Sequence, residues 1–209
     1  EWRANVTQTT WTTSFIGTYD IDLSSFATDQ TVQFWVRVND TADNQQLITI
    51  ILTFDDTAPN IILNSPANNS VIQKPAVIDL DITDLHLEPA TAEWKANVTQ
   101  TVWTSSFVGT YDIDLSGFAT DQAVQFWVRA NDTADNQQLI TIILTFDDTA
   151  PNIILNSPAN NSVIQKPAVI DLDITDLHLD PATAEWRANV TQTTWTTSFI
   201  GTYDIDLSS

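Results

Sequence analysis

The chain has 209 residues, 27 acidic against 7 basic, giving a formal charge of −20 and a pI near 4.1. That balance excludes ordinary nucleic-acid binding, which needs basic patches for phosphate, and disfavours direct contact with an anionic membrane surface. Hydrophobic residues make up 43%, enough for packed cores; cysteine is absent, so no disulfide framework exists; and 23 of the acids are Asp against 4 Glu, a bias toward turns and strand ends and away from helical surfaces.

The sequence repeats with a period of 92. Glu1-Trp2-Arg3-Ala4-Asn5-Val6-Thr7 returns as Glu93-Trp94-Lys95-Ala96-Asn97-Val98-Thr99 and as Glu185-Trp186-Arg187-Ala188-Asn189-Val190-Thr191. Residues 1–92 and 93–184 differ at 8 positions, and 185–209 repeat 1–25 unchanged. In each period Phe54-Asp55-Asp56-Thr57-Ala58-Pro59-Asn60-Ile61, returning as Phe146 to Ile153, closes one apolar run and opens another. Two carboxylates and a proline lacking an N–H interrupt any ladder there, which marks a seam between domains. The seams predict that 1–56 is the C-terminal part of one repeat, 57–148 a complete repeat and 149–209 the N-terminal part of the next. A part-repeat leaves strand edges unpaired and core uncovered. The chain therefore reads as a window on a longer array, completed by neighbours in one polypeptide or by strands exchanged between adjacent chains.

Through the complete repeat, Ile61-Ile62-Leu63 is a short strand ended by the turn formers Asn64 to Ser70. Ala76 to Thr83 alternates, with Ile78, Leu80 and Ile82 on one face and Asp79 and Asp81 on the other. Asp84 to Pro89 is a loop, and alternation resumes with Trp94, Ala96 and Val98. A Thr/Ser-rich stretch around Trp103 and Phe107 precedes the alternating Tyr111 to Leu115, and Ser116 to Gln122 turns the chain. Val124 to Ala130 is the clearest strand, Phe126 and Val128 inward, Trp127 and Arg129 outward. Asn131 to Asn136 is a hairpin turn by composition, and Leu139 to Phe146 runs as a longer apolar strand into the next seam. About seven short strands, turn signals every 8–12 residues and no helical period predict an all-β chain of tandem immunoglobulin-like β-sandwich repeats.

Asp56 to Ser70, with Asp81-Ile82-Thr83-Asp84, Tyr111-Asp112-Ile113-Asp114 and Ala130-Asn131-Asp132-Thr133-Ala134, resembles the Ig-like repeats of prokaryotic surface proteins, most of all archaeal surface-layer, adhesin-like and filament proteins. Such families often carry Gly where Asp135 stands, and the cysteine pair of antibody-type domains is missing. The resemblance implies an extracellular or cell-surface setting. It further implies a structural role, with domains stacked into a stalk, surface layer or filament whose partners are further copies of the same repeat or chain. The alternative it implies is an adhesin binding glycan or another cell through exposed Trp faces and loops.

In an Ig-like sandwich the N-terminus, B–C loop and F–G turn share a pole, so Asp55 and Asp56 should meet Asp84, His86, Glu88, Asp132 and Asp135, with Asp29 on the near side. In the next repeat the corresponding set is Asp147, Asp148, Asp176 and Asp180. Such oxygen ligands are a candidate calcium site stiffening the joint, an arrangement that resembles cadherin junctions; the competing reading is Asp as turn former and solubiliser. Asn5, Asn39, Asn68, Asn97, Asn131, Asn160 and Asn189 fit Asn-x-Ser/Thr and are candidate carriers of N-glycans. Trp35 and Trp127 alternate outward beside Arg37 and Arg129, positioned for ring–guanidinium stacking. The pairs Asp79/Asp81 and Asp112/Asp114 lie on solvent faces, no nucleophile motif or phosphate loop accompanies them, and no enzyme is expected. Lys74 and Lys166 border a strand, a placement open to a self-formed Lys–Asn cross-link.

Overall fold

A computed structural model of the chain describes residues 1–165, 169–189 and 194–207; Lys166 lies outside them. The strands in chain order are β1 (Trp2–Ala4), β2 (Gln30–Asn39), β3 (Gln45–Phe54), β4 (Asn60–Ser65), β5 (Ser70–Ile72), β6 (Val77–Thr83), β7 (Glu93–Ala96), β8 (Ile113–Asp114), β9 (Gln122–Asn131), β10 (Gln137–Phe146), β11 (Asn152–Ser157), β12 (Val169–Thr175) and β13 (Ile205–Asp206). Single 3-10 turns lie at Pro89–Thr91 and Pro181–Thr183, and no α-helix occurs among the described residues. No helix there is long and apolar enough to cross a membrane.

The molecule is all-β, with several mainly antiparallel sheets ordered β1-β2-β3, β4-β6-β8, β5-β10-β9-β7 and β11-β12-β13, an arrangement compatible with a β-sandwich. Among the described residues the one parallel pairing is β5 with β10. By internal contacts the chain divides into two compact units: residues 1–68, 76–118 and 124–143, and residues 69–75, 119–123 and 144–209.

In the first unit the period-two pattern acts as expected. Ile78, Leu80 and Ile82 of β6, Trp94 and Ala96 of β7, and Val124, Phe126 and Val128 of β9 are all buried. Trp94 packs against Phe118 and Phe126 in tilted ring pairs. Near the N-terminus the same unit holds a core of Trp2, Ala4, Phe26, Val32 and Phe34, flanked by Val6, Phe15, Ile21, Val36 and Phe54. Each Trp also satisfies its polar edge: Trp2 Nε1 donates to Ser14 O at 2.7 Å, Trp94 Nε1 to Ser106 O at 3.1 Å.

In the second unit β5 adds to β10 at Leu144–Phe146, and β12 lies between β11 and β13. The run Asn64 to Ser70 thus ends in a strand and not only in a turn: Val71-Ile72 is β-branched and finds the free edge of β10. The stretch around Trp103 and Phe107 forms isolated bridges, Trp94 with Thr104 and Val108 with Asp112, and no ladder.

Candidate functional site: a carboxylate–histidine clasp

The clasp starts where β3 stops. Asp29, in a left-handed turn (φ 54°), accepts the Asp56 N–H on Oδ1 at 3.1 Å, taking that amide away from any continuing ladder. Asp55 Oδ1 accepts the Thr57 N–H at 3.2 Å, and its Oδ2 lies 2.7 Å from His86 Nδ1. His86 is held in turn: its N–H donates to Asp84 Oδ1 at 2.7 Å, and its carbonyl accepts the Thr133 N–H at 2.9 Å. The Asp55 side chain, 8% exposed, is nearly closed off by these contacts.

The hairpin Asn131–Asn136 completes the joint. Asp132, wholly buried, accepts the Ala134 and Asn136 N–H groups on Oδ1 at 2.8 and 2.9 Å, and Asn136 Nδ2 on Oδ2 at 2.7 Å. Asn136 Nδ2 also reaches the Asp55 carbonyl at 2.8 Å, tying the turn to the seam. Burial pushes the Asp132 carboxyl up, but the Asn136 side chain, the two backbone N–H groups and the field of His86 outweigh it and hold it below the ordinary carboxylate range.

The second unit carries the counterpart. His178 Nδ1 lies 2.9 Å from Asp147 Oδ2, the His178 N–H donates to Asp176 Oδ1 at 2.7 Å, and Asp121 Oδ1 accepts the Asp148 N–H at 2.9 Å. Here Asp148 Oδ1 also accepts the Lys74 N–H at 3.1 Å. One substitution between the copies has a visible effect. Asp180 accepts the Ala182 N–H at 3.1 Å and caps the following 3-10 turn, whereas Glu88 at the matching place makes no side-chain cap.

Asp55, Asp84 and His86 offer donor atoms within 4.8 Å of one another, as do Asp147, Asp176 and His178. One nitrogen and two oxygens match a zinc-like three-ligand set better than the six to eight oxygens calcium takes. Asp132 spends its carboxylate on its own turn; Asp135 shapes that turn from a left-handed conformation, φ 66°. Neither Asp56 nor Glu88 belongs to the three-donor group.

The other candidates divide in the same way between free and engaged. Asn68 uses both ends of its amide on β10, Nδ2 to Thr141 O at 3.3 Å and Oδ1 from the Ile143 N–H at 2.8 Å. Asn5 and Asn97 each accept a strand N–H on Oδ1 at 2.9 Å, and both are exposed, as are Asn39, Asn160 and Asn189. Asn131 is half-buried and accepts from Gln137. The outward Trp rings are faced by cations: Arg3 stands 4.6 Å from the Trp35 centroid, Arg37 4.0 Å from Trp11, Lys95 5.1 Å from Trp127 and Arg129 4.2 Å from Trp103. The stacking partner of Trp35 is thus Arg3, with Arg37 on Trp11, an exchange that sequence adjacency did not reveal. Asp79 and Asp81 share Asn64 Nδ2, and Asp112 Oδ1 accepts the Leu80 N–H at 3.2 Å. Compared with protein-family models, curated proteins and solved structures, the chain matches none.

Proposed function

We propose that this chain is a run of tandem Ig-like modules acting as an extracellular strut, stacked into a prokaryotic surface stalk, surface layer or filament, in which neighbouring copies are the partners. The observation that carries the reading is the clasp. His86 with Asp55 and His178 with Asp147 join the end of one apolar run to the loop after the second strand of the next, in the same geometry twice. A joint built of backbone-anchored carboxylates resists bending, which is what a spacer needs and a catalyst does not.

The strand orders β4-β6-β8 and β5-β10-β9-β7 support the Ig-like assignment, corresponding to A-B-E on one sheet and A′-G-F-C on the other. The surface setting rests on the resemblance, the acidic charge and the exposed sequons. The adhesin alternative has less support, because the Trp faces it would use against sugar rings already stack on Arg and Lys. Electron microscopy of the native assembly is the test: rods or a lattice with a regular module spacing are expected, and dispersed compact particles would refute the strut.

A further inference from the structure

Of the 7 basic residues in the chain, Arg3, Arg37, Lys95, Arg129 and Arg187 all stand over Trp rings. In the complete repeat, strand register explains how. Across β7 and β9, Lys95 is level with Trp127 and Glu93 with Arg129, so the two cations are diagonal neighbours about 7–8 Å apart. Lys95 Nζ lies 4.9 Å from the Trp103 centroid and 5.1 Å from Trp127, and Arg129 lies 4.2 Å from Trp103. Arg129 is paired with Glu93 at 2.6 Å. Lys95 has no ion pair among the described residues, in a chain of 27 acids against 7 bases. Arg3, its equivalent one period earlier, has none either, and its buried Nε lacks a hydrogen-bond partner. A cation held between two rings and left unpaired among so many carboxylates calls for an acceptor.

The opposite charge stands on another sheet of the same repeat. Asp79 and Asp81 of β6 alternate with the buried Ile78, Leu80 and Ile82 and so face outward, about 7 Å apart by strand rise. Asn64 Nδ2 donates to both, at 3.1 and 2.9 Å, which holds the pair in place without neutralising it. Neither has an ion pair among the described residues. Strands β4, β6 and β8 carry Asp79, Asp81 and Asp114 and no base, whereas β7 and β9 carry Lys95 and Arg129 against the single acid Glu93. The next period repeats the acidic arrangement, with Asn156 Nδ2 on Asp171 at 3.1 Å.

We propose that a second copy of this chain docks sideways on the Trp-flanked cations, its Asp79–Asp81 face seated on the Lys95–Arg129 face of the first. Two carboxylates and two cations at nearly the same spacing meet, and Lys95 takes its missing acceptor between Trp103 and Trp127. Both patches lie whole within residues 57–148, the complete repeat. Because they differ, the contact is heterologous and open-ended, and it adds copies side by side. The inference deepens the strut reading, on which it rests, by naming the lateral partner. The −20 charge of each copy repels at long range while the patches attract at contact. Association is therefore strongest near 0.15 M salt, where the Debye length is about 8 Å, and is lost near 1 M, where about 3 Å of screening reaches the pairs themselves.

Sedimentation of the 209-residue chain over concentration and salt series tests it. Masses above 23.2 kDa that grow with concentration are expected near 0.15 M salt, falling back to 23.2 kDa near 1 M. Arg3→Gln, Lys95→Gln and Arg187→Gln made together hold the chain at 23.2 kDa. The decisive variant carries Asp79→Asn, Asp81→Asn, Asp171→Asn and Asp173→Asn, which removes four negative charges and takes the chain from −20 to −16. Relief of general repulsion would make it associate more strongly; loss of the docking face abolishes association, and that is the predicted result. Stronger association of this variant would overturn the proposal. A native chain that stays at 23.2 kDa at every salt, with β-rich circular dichroism, would also overturn it and leave the end-to-end strut standing. Retention of that single copy on immobilised polygalacturonate, lost in the Lys95 set, would assign the face to an acidic glycan instead and equally overturn it.

Discussion

Replacing Asn136 with alanine removes one amide that serves two acceptors, the buried Asp132 carboxylate at 2.7 Å and the Asp55 carbonyl at 2.8 Å. A hydrogen bond to a charged group contributes about 1.5–3 kcal/mol and one to a neutral carbonyl about 0.5–1.5, so the loss is expected to reach about 2–4 kcal/mol. The molecule contains its own control. Asn44 stands in the same Asn-Asp-Thr-Ala-Asp-Asn turn and donates to Asp40 Oδ2 at 2.8 Å. Asp40 is exposed, however, so water replaces the lost donor, and Asn44→Ala should cost about 0.5 kcal/mol or less. Urea unfolding followed by Trp fluorescence compares the two; more than one transition is expected from the two compact units, and the one that shifts is read. Equal shifts for Asn136→Ala and Asn44→Ala would refute the idea that the seam gives this turn its weight.

Asp132 also sets a pH dependence. Its carboxyl is held below the ordinary value of 3.8, so the stability it contributes is complete above that value and is lost as pH falls through the lower folded value. Unfolding midpoints measured from about pH 5 down to 2 should fall more steeply for the native chain than for Asp132→Asn; parallel curves would count against the assignment. His86→Ala leaves the nearly closed Asp55 carboxylate short of a donor and should cost about 1–3 kcal/mol, with a smaller effect for His178→Ala beside the more exposed Asp147. Thermal midpoints with chelator and with added calcium should coincide, since Asp55 and His86 already close on each other by a hydrogen bond; a clear rise with calcium would show that a cation sits at the joint. Asp135→Gly relieves a left-handed non-glycine residue and should stabilise by about 0.5 kcal/mol, checked by the same urea titration, a loss of stability being the contrary outcome.

The strands that were legible beforehand are those whose two faces differ. Val77 to Thr83 and Gln122 to Asn131 alternate because one face is buried, and period two records that directly. β5 escaped notice because three residues carry no period; its strand character comes from the edge of β10 and not from its own sequence. The stretch 54–61 was legible because an exact repeat marks it, and Asp55 lies with Asp84 and His86, two of the residues expected near it. What composition could not convey is that Asp132 is consumed by its own turn. Six residues, Asn-Asp-Thr-Ala-Asp-Asn, read equally as a ligand loop or as a closed hydrogen-bond ring until the Asn136 amide is placed. The Trp faces are a similar case: neighbours in sequence suggested Arg37 over Trp35, while cross-strand register brings Arg3 there instead.

Backbone order parameters from 15N relaxation, read at Asp55, His86 and Thr133 and compared with the exposed hairpin tip at 41–43, test the rigid joint most directly. Values near 0.85 at the seam, matching the core strands, are predicted; values below about 0.6, no different from a mobile loop, would contradict the claim that the carboxylate–histidine clasp makes these modules a strut.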